Sequence, residues 1–471
     1  MKKIGLICLT LCLLIALSGN VFFVSGVEAG NNTIKNGAHS VDGAVPLLGT
    51  ERLVSNVQTA IVYETKSQTL MYAFNADEQI YPASLVKILT ALMVAEQVQL
   101  SDSVTVTEAV LSSVAADAVS ADLVAGEVLT VADLLHCMMV ASANDAAAVL
   151  ADYVSGSQDA FVAEMNQYAQ ELGCTQTNFT NVHGLHDDQQ YTTTRDMARI
   201  LAKAMENETF CDIFGAIYYT VPATNMSEER SLSTGNYLMN NDSVKIYHDS
   251  RVTGGRTAVT DSGYISIASS AETNGMELIC IVTGAQSVYR EDGYTVQTFG
   301  GYNETSLLLN SGFEGFETKQ VIYAGQALEQ YSVENGMSDV VVGAMESVST
   351  VLPKDVGIDR LDFKITKITE GIKAPIEENQ VLSVLEVWYG STCVGHMELS
   401  AFNPVPMIPV QTVEDIGKTA AFPWKTVLIA VICTLVGVLV IWIVIRGING
   451  MRRAARRNHS RQYRRNRRRS R

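Results

Sequence analysis

"YPASLVKILTALMVAEQ", Tyr81–Gln97, is the stretch on which the reading of this 471-residue chain turns. From Leu85 to Ala95 only Lys87 and Thr90 interrupt an apolar run. A helix that is apolar on all sides is buried. A buried ammonium is costly unless it is paired or gives up its proton. Pro82 predicts a helix start nearby, which puts Ser84 in the first turn with its backbone N–H unpaired. Ser84 and Lys87 stand three residues apart and so share a face. A lysine in an apolar setting can take a proton from the hydroxyl beside it, which makes a serine nucleophile without histidine. The plainer reading, a serine and a lysine on the surface, is weakened by the lack of polar residues around them. This is also the only Ser-x-x-Lys in the chain.

Working outward, "VQTAIVYE" and "TLMYAFN" flank "TKSQ" and predict a hairpin before the apolar helix. "TVADLLHCMMV" opens a second helix, with Thr130 and Asp133 at capping-box spacing. Helical periodicity returns over residues 158–173 and in "TTRDMARILAKAME". From Arg251 the period becomes that of strands: "RVTGGRTAV", "YISIASSA" and "MELICIVTGA", with turn signals at Thr260–Gly263 and Asn274-Gly275. "NETSLLLNSGF" closes the region as a helix. The order predicts one α/β domain over 53–313, with the first hairpin joining the late meander in one sheet and the apolar helix packed against it. "QVIYAGQA", "DVVVGAM", "LDFKITKIT" and "VLSVLEVWYG" then predict a small all-β domain over 316–405.

The two ends speak for export and anchoring. "MKKIGLICLTLCLLIALSGN" and the small residues near Val27–Ala29 predict a signal peptide over 1–29, in preference to an uncleaved anchor, with a polar spacer over 30–52. Val427–Ile445 is 19 residues without a charge, which predicts a membrane-spanning helix over 425–446 after a linker at 406–424. The tail, 447–471, is rich in arginine; from Arg446 onward there are twelve arginines and no acid. Such an arm could bind nucleic acid, but directly after a span it fits a cytoplasmic anchor facing anionic lipid headgroups. Of the formal net charge of −16, those arginines supply +12, so the rest of the chain carries −28. An acidic exported body is not a nucleic-acid binder. The exported cysteines, Cys137, Cys174, Cys211, Cys280 and Cys393, form no close pairs, and no HExxH or CxxC metal site is visible.

Two further groupings bear on chemistry. "VASANDAAAVLADY" places Ser142 and Asn144 in a turn of small residues between two apolar helices, where such residues also serve as helix caps. "GGRTAVT", Gly254–Thr260, sets a cation and a hydroxyl at a strand end, which suits a carboxylate but also an ordinary solvated strand. Ser-x-x-Lys, then Ser-x-Asn about 58 residues on, then a cation-Thr pair resembles the motif triplet of the penicillin-recognising serine enzymes. "YPASLVKILTALM", "GEVLTVADLLHCMMVASANDAA", "FVAEMNQYAQELGCTQTNFTNVHGL", "YTTTRDMARIL" and "IKAPIEENQVLSVLEVWYGS" resemble in particular the D-alanyl-D-alanine carboxypeptidases among the low-molecular-mass penicillin-binding proteins.

The resemblance implies an α/β (α+β) catalytic domain like that of β-lactamases and transpeptidases, followed by the all-β domain and the anchor. It implies that Ser84 is the acylated nucleophile and Lys87 its base. Ser142 and Asn144 assist proton transfer and hold the substrate amide. Arg256 and Thr257 take the terminal carboxylate, with Arg290 a weaker candidate, and the backbone N–H groups of Ser84 and Val259 form the oxyanion hole. Peptidoglycan stem peptides are then the substrate, β-lactams covalent inhibitors, and neither metal nor cofactor is needed. The third motif departs from the family's Lys-Thr-Gly: here it is Arg256-Thr257-Ala258, and the stretch to Gly263 is one residue shorter. Arginine keeps the charge but cannot release a proton at working pH. Two alternatives therefore stand beside the carboxypeptidase: a penicillin-binding homologue with weak turnover that serves the wall as a binding or regulatory protein, and a β-lactamase.

Overall fold

A computed structural model of the chain describes residues 46–49, 51–242, 244–260, 262–291, 296–409 and 424–466, with side chains to 453. The expected signal peptide, most of the spacer and linker, and the last five tail residues lie outside the described residues. The chain forms one compact unit to Pro406 and another from Met407.

The predicted hairpin is present as β1 (Thr59–Glu64) and β2 (Thr69–Phe74). It joins β3 (Val252–Val259), β4 (Ile265–Thr273) and β5 (Met276–Ala285) in one antiparallel sheet of order β2-β1-β5-β4-β3. The β4–β5 turn falls on Asn274 and Gly275, both at positive φ (+52° and +81°), the conformation that tight hairpins require. Every residue of β1 is buried. So is every residue of β5 from Leu278 to Thr283, because both faces of the sheet are covered. One face carries the closing helix α7 (Tyr302–Gly315), whose Leu308, Leu309 and Phe313 join Val62, Leu278, Cys280 and Val282. The other face meets α5 (Thr194–Ala204).

The apolar stretch becomes α1 (Lys87–Gln97), with eight successive buried residues from Lys87 to Val94. One expectation needs correction. Helix α1 does not lie chiefly on the sheet but in the middle of a helical cluster. It is surrounded by α2 (Val131–Val140), α3 (Asn144–Ser155), α4 (Gln158–Glu171), α5 and α6 (Glu208–Phe214). Helix α5 stands between it and β1 and β5. A helix apolar on every side needs partners on every side, and a sheet covers only one. Several caps set the cluster's boundaries. Thr130 and Asp133 form the reciprocal capping box of α2, and Ser157 and Thr193 cap α4 and α5. The short helix α6, capped by Asn207, and the hairpin of Tyr218–Val221 with Arg230–Ser233 carried no clear sequence signal.

From Phe316 to Ala401 strands take over, with one 3-10 turn at Ile358–Arg360. β6 (Phe316–Ile322) pairs with β9 (Val348–Pro353). A second sheet orders β7 (Ala327–Tyr331), β8 (Val340–Gly343), β12 (Thr392–Ala401), β11 (Val381–Tyr389) and β10 (Asp362–Lys367). Its core is apolar, with Val340, Val342, Leu385, Val387, Val394 and Leu399. Strands β7, β9 and β12 were not anticipated, since polar residues break their alternation. The all-β region is stitched to the first sheet where Thr69 Oγ1 donates to the Val394 carbonyl at 3.1 Å.

The second unit is dominated by α8 (Trp424–Asn466). Its portion Trp424–Arg453 is long and apolar enough to cross a membrane.

Candidate active site

Ser84 sits in a 3-10 turn, Ala83–Val86, and Lys87 opens α1 directly after it. In a 3-10 turn residues i and i+3 eclipse one another, so this backbone sets Ser84 and Lys87 toward one side. Ala83, at φ +45°, takes the left-handed conformation that L-residues avoid. Gly184, at φ +87°, is pressed against the same peptide: a Cβ there would stand 2.0 Å from the Ala83 carbonyl oxygen. Only glycine allows the His183–Leu185 segment to close over the serine turn.

Lys87 is fully buried. Its Nζ donates to Asn144 Oδ1 at 2.5 Å and to the His183 carbonyl at 2.8 Å. Neither acceptor is an anion. Burial, with the nearby positive charge of Arg256, holds its pKa well below the usual lysine value, while Asp145 pulls weakly the other way. Among the described residues no carboxylate contacts the amine, and burial shifts its balance toward the neutral form. The His183 ring is also buried, which pushes its pKa down to about 4, with Lys87 adding to the effect. Leu185 N–H donates to His183 Nδ1 at 3.2 Å.

Ser142 and Asn144 are not helix caps here. Helix α2 ends at Val140, and the N-cap of α3 is Ala143, whose side chain makes no capping bond. Ser142 is held at φ +64°, and its hydroxyl lies 3.5 Å from Ser84 Oγ. A serine in this region stores about 1–2 kcal/mol, a cost that clusters at working sites. Arg256 holds it there. Arg256 is 3% exposed, and its guanidinium donates to Ser142 Oγ (2.6 Å), the Met139 carbonyl (2.6 Å) and the Ser84 carbonyl (3.2 Å). Burial lowers its pKa to about 10, which leaves it cationic at neutral pH. One arginine on the edge strand β3 thus ties the Ser84 turn to the end of α2.

Ser84, Ser142, Asn144 and Val259 line one pocket of roughly 210 Å³. Tyr81, His186 and Asp187 stand on one side of it, and Asp117, Ala118 and Val119 on another. Lys87 lies beneath it, bonded to Asn144. Arg256, Thr257 and Arg290 are not among its lining residues. Arg256 faces inward instead of presenting a fork to a carboxylate. Thr257 is half-buried, its hydroxyl 3.4 Å from Tyr302 OH. Arg290 is exposed, at the end of the Val288–Tyr289 strand. The methyl of Ala258 is buried in the main apolar cluster and does not project into the pocket. Sequence reasoning had not singled out His183, Gly184 or Asp145. Only "NVHGL" hinted at the first two, through a glycine in a polar loop.

Most of the chain is similar to known proteins. The family model described as D-alanyl-D-alanine carboxypeptidase matches residues 50–287, and one described as penicillin-binding protein 5, C-terminal domain, matches 316–417. D-alanyl-D-alanine carboxypeptidase DacC of Escherichia coli is 30% identical over 76% of this chain and 84% of its own length. DacA of Haemophilus influenzae is 29% identical over 74% and 85%. The crystal structure of penicillin binding protein 5 from Haemophilus influenzae covers 76% of this chain and 100% of its own, at 28% identity and a TM-score of 0.61. With a family model matched over half its length, and a serine, a buried lysine and a Ser-x-Asn turn around one pocket, the chain belongs to the D-alanyl-D-alanine carboxypeptidase family.

Proposed function

We propose that this serine-type D-Ala-D-Ala carboxypeptidase removes the terminal D-alanine from peptidoglycan stem peptides, with Ser84 as nucleophile and Lys87 as base. The observation that carries the assignment is Lys87, a fully buried amine beside the serine turn, bonded to an amide oxygen and a carbonyl oxygen, with no carboxylate in contact among the described residues and its pKa pushed well down by burial. Ser84 Oγ attacks the carbonyl carbon of the penultimate D-alanine while its proton passes to Lys87 Nζ. The backbone N–H groups of Ser84 and Val259 donate to the developing oxyanion. As the C–N bond breaks, the proton returns to the leaving amine through the Ser142 hydroxyl, 3.5 Å from Ser84 Oγ. Water then attacks the Ser84 ester, with Lys87 again as base, and releases the shortened peptide. β-Lactams acylate the same serine.

Asn144 holds both Lys87 and the substrate amide. For the terminal carboxylate, Thr257 supplies a hydroxyl and Arg256 a fixed charge behind the pocket wall, with Arg290 a more distant candidate. The catalytic body, 53–313, and the β domain, 316–405, stand outside the cell. Residues 425–446 span the membrane, and the arginine tail, 447–471, meets anionic lipid in the cytoplasm. The change at Phe316 from mixed elements to strands with one short 3-10 turn, and the apolar stretch within α8, support that division.

The inward turn of Arg256 favours one rival, a penicillin binder with weak turnover. Purified protein should release D-alanine from a stem pentapeptide and be labelled by fluorescent penicillin, both abolished in Ser84→Ala. Labelling without any release of D-alanine would favour the rival, and labelling that survives in Ser84→Ala would reject Ser84 as nucleophile.

A further inference from the structure

One buried carboxylate beside the pocket is used by none of the steps above. Asp145, 4% exposed, follows Asn144 in the first turn of α3. It accepts from Ser120 Oγ at 2.6 Å, from Ala121 N–H at 3.0 Å and from Leu123 N–H at 3.1 Å. Next to it, Asn144 N–H donates to the Val119 carbonyl at 2.7 Å. These bonds hold a segment, 115–123, that has neither helix nor strand of its own. Asp122 within it is at φ +55°, and the segment's Asp117, Ala118 and Val119 form one side of the pocket. The loop's own side chains supply little grip. Of residues 115–123, only Ala121 and Leu123 are buried, and they flank the backbone donors that reach Asp145.

A carboxylate is well chosen for this place. It accepts from several donors at once and is favoured at a helix N-terminus. An amide in its place would have one acceptor oxygen, and its NH₂ would face backbone N–H groups. We propose that Asp145 is a positioning residue for the peptidase reaction: it bolts the 115–123 wall of the pocket to the helix turn that carries Asn144, so that wall and catalytic amide keep one geometry. The proposal rests on the assignment of this pocket to catalysis. It adds a consequence for the base. The groups bearing on Lys87 are Arg256 from β3, Asp145 from α3 and His183 from the loop over the serine turn. Cys137 of α2, its thiol pushed up to about 12, stays neutral. Among these Asp145 alone favours the charged lysine, so removing its charge lowers the Lys87 pKa further.

The test uses the full exported body with Asp145→Asn, Asp145→Glu and Ser120→Ala. In Asp145→Asn, amide exchange at Ala121 and Leu123 should quicken by about tenfold or more, with exchange in the sheet unchanged. The KM for a D-Ala-D-Ala peptide should rise by roughly tenfold, with a smaller fall in kcat. The acid limb of penicillin labelling should move to lower pH, a shift that a merely structural role would not produce. Asp145→Glu keeps the charge but not the reach, so it should loosen the loop while leaving the acid limb where it is in the wild type. If Asp145→Asn does not fold, Ser120→Ala decides: faster exchange at Ala121 with a raised KM supports the bolt, and wild-type values of both overturn it. Unchanged exchange at Ala121 and Leu123 in a folded Asp145→Asn also overturns it, as does an unmoved acid limb. A wild type not labelled at Ser84 would defeat the catalytic assignment instead, while exchange at Ala121 and Leu123 would still decide whether Asp145 holds the loop.

Discussion

The guanidinium of Arg256 donates to the Ser142 hydroxyl at 2.6 Å, so the third motif is fastened to the second beside Ser84. Arg256 also reaches the carbonyls of Ser84 and Met139. In this chain the arginine of "GRTAVT" is therefore a structural and electrostatic part of the site before it is a substrate ligand.

Arg256→Gln should accordingly harm more than binding. It removes a charged donor from three acceptors and frees Ser142 from its left-handed conformation. A lost charged hydrogen bond is worth about 1.5–3 kcal/mol, or about one to two decades in the rate of acylation at Ser84. Arg256→Lys reaches fewer acceptors and should fall between the two. Stopped-flow labelling with a fluorescent penicillin measures this; a wild-type rate in Arg256→Gln would show the tie to be dispensable.

The pH dependence follows from the depressed pKa of Lys87. With the neutral amine as the proposed base, acylation should be fully present above the folded pKa of Lys87 and be lost as pH falls through it. Arg256 is one cause of the depression, so Arg256→Gln should raise that pKa and move the acid limb to higher pH. This is opposite in sign to the shift expected for Asp145→Asn. Lys87→Arg should be nearly inert at every pH, because arginine holds its proton. Two limbs moving in the same direction would contradict the assignment of Lys87.

Gly184→Ala should be severe. The residue is at φ +87°, and the added methyl would meet the Ala83 carbonyl. Left-handed strain alone costs roughly 1–2 kcal/mol, and displacing the serine turn adds to it. A lowered melting temperature together with weak labelling of Ser84 is expected. Unchanged values of both would mean that the turn moves aside freely.

Ala258→Gly should be neutral or mildly harmful. Its methyl lies in the apolar cluster with Ala268 and Ile281, so the smaller residue opens no room for substrate. Glycine within a strand loses about 0.5–1 kcal/mol relative to alanine. A gain in D-alanine release would show that the methyl crowds the substrate after all.

Protease added to wall-less cells should remove the body and leave a fragment containing residues 446–471. A digested tail with a protected body would reverse the proposed topology.

Much of this molecule was legible from local chemistry. The short apolar runs "AIVY" and "LICIV", Asn274-Gly275, and the Thr130–Asp133 box pointed to a sheet covered on both faces and to a helix start, because apolar runs, turns and caps are properties of a few adjacent residues. The apolar run after Ser84 made Lys87 a buried amine before any contact was known, since no face of that helix was polar enough for water. The tertiary structure alone decided where the charges point. Arg256 sits on an edge strand, and nothing in "GGRTAVT" tells whether its guanidinium turns to solvent or inward. That depends on the Ser84, Met139 and Ser142 oxygens, which lie 114–172 residues away in the chain. Asp145 was hidden for the same reason. Beside Asn144 it reads as a residue of a helix's first turn, and only the closure of the 115–123 segment upon it supplies the donors that a buried carboxylate needs.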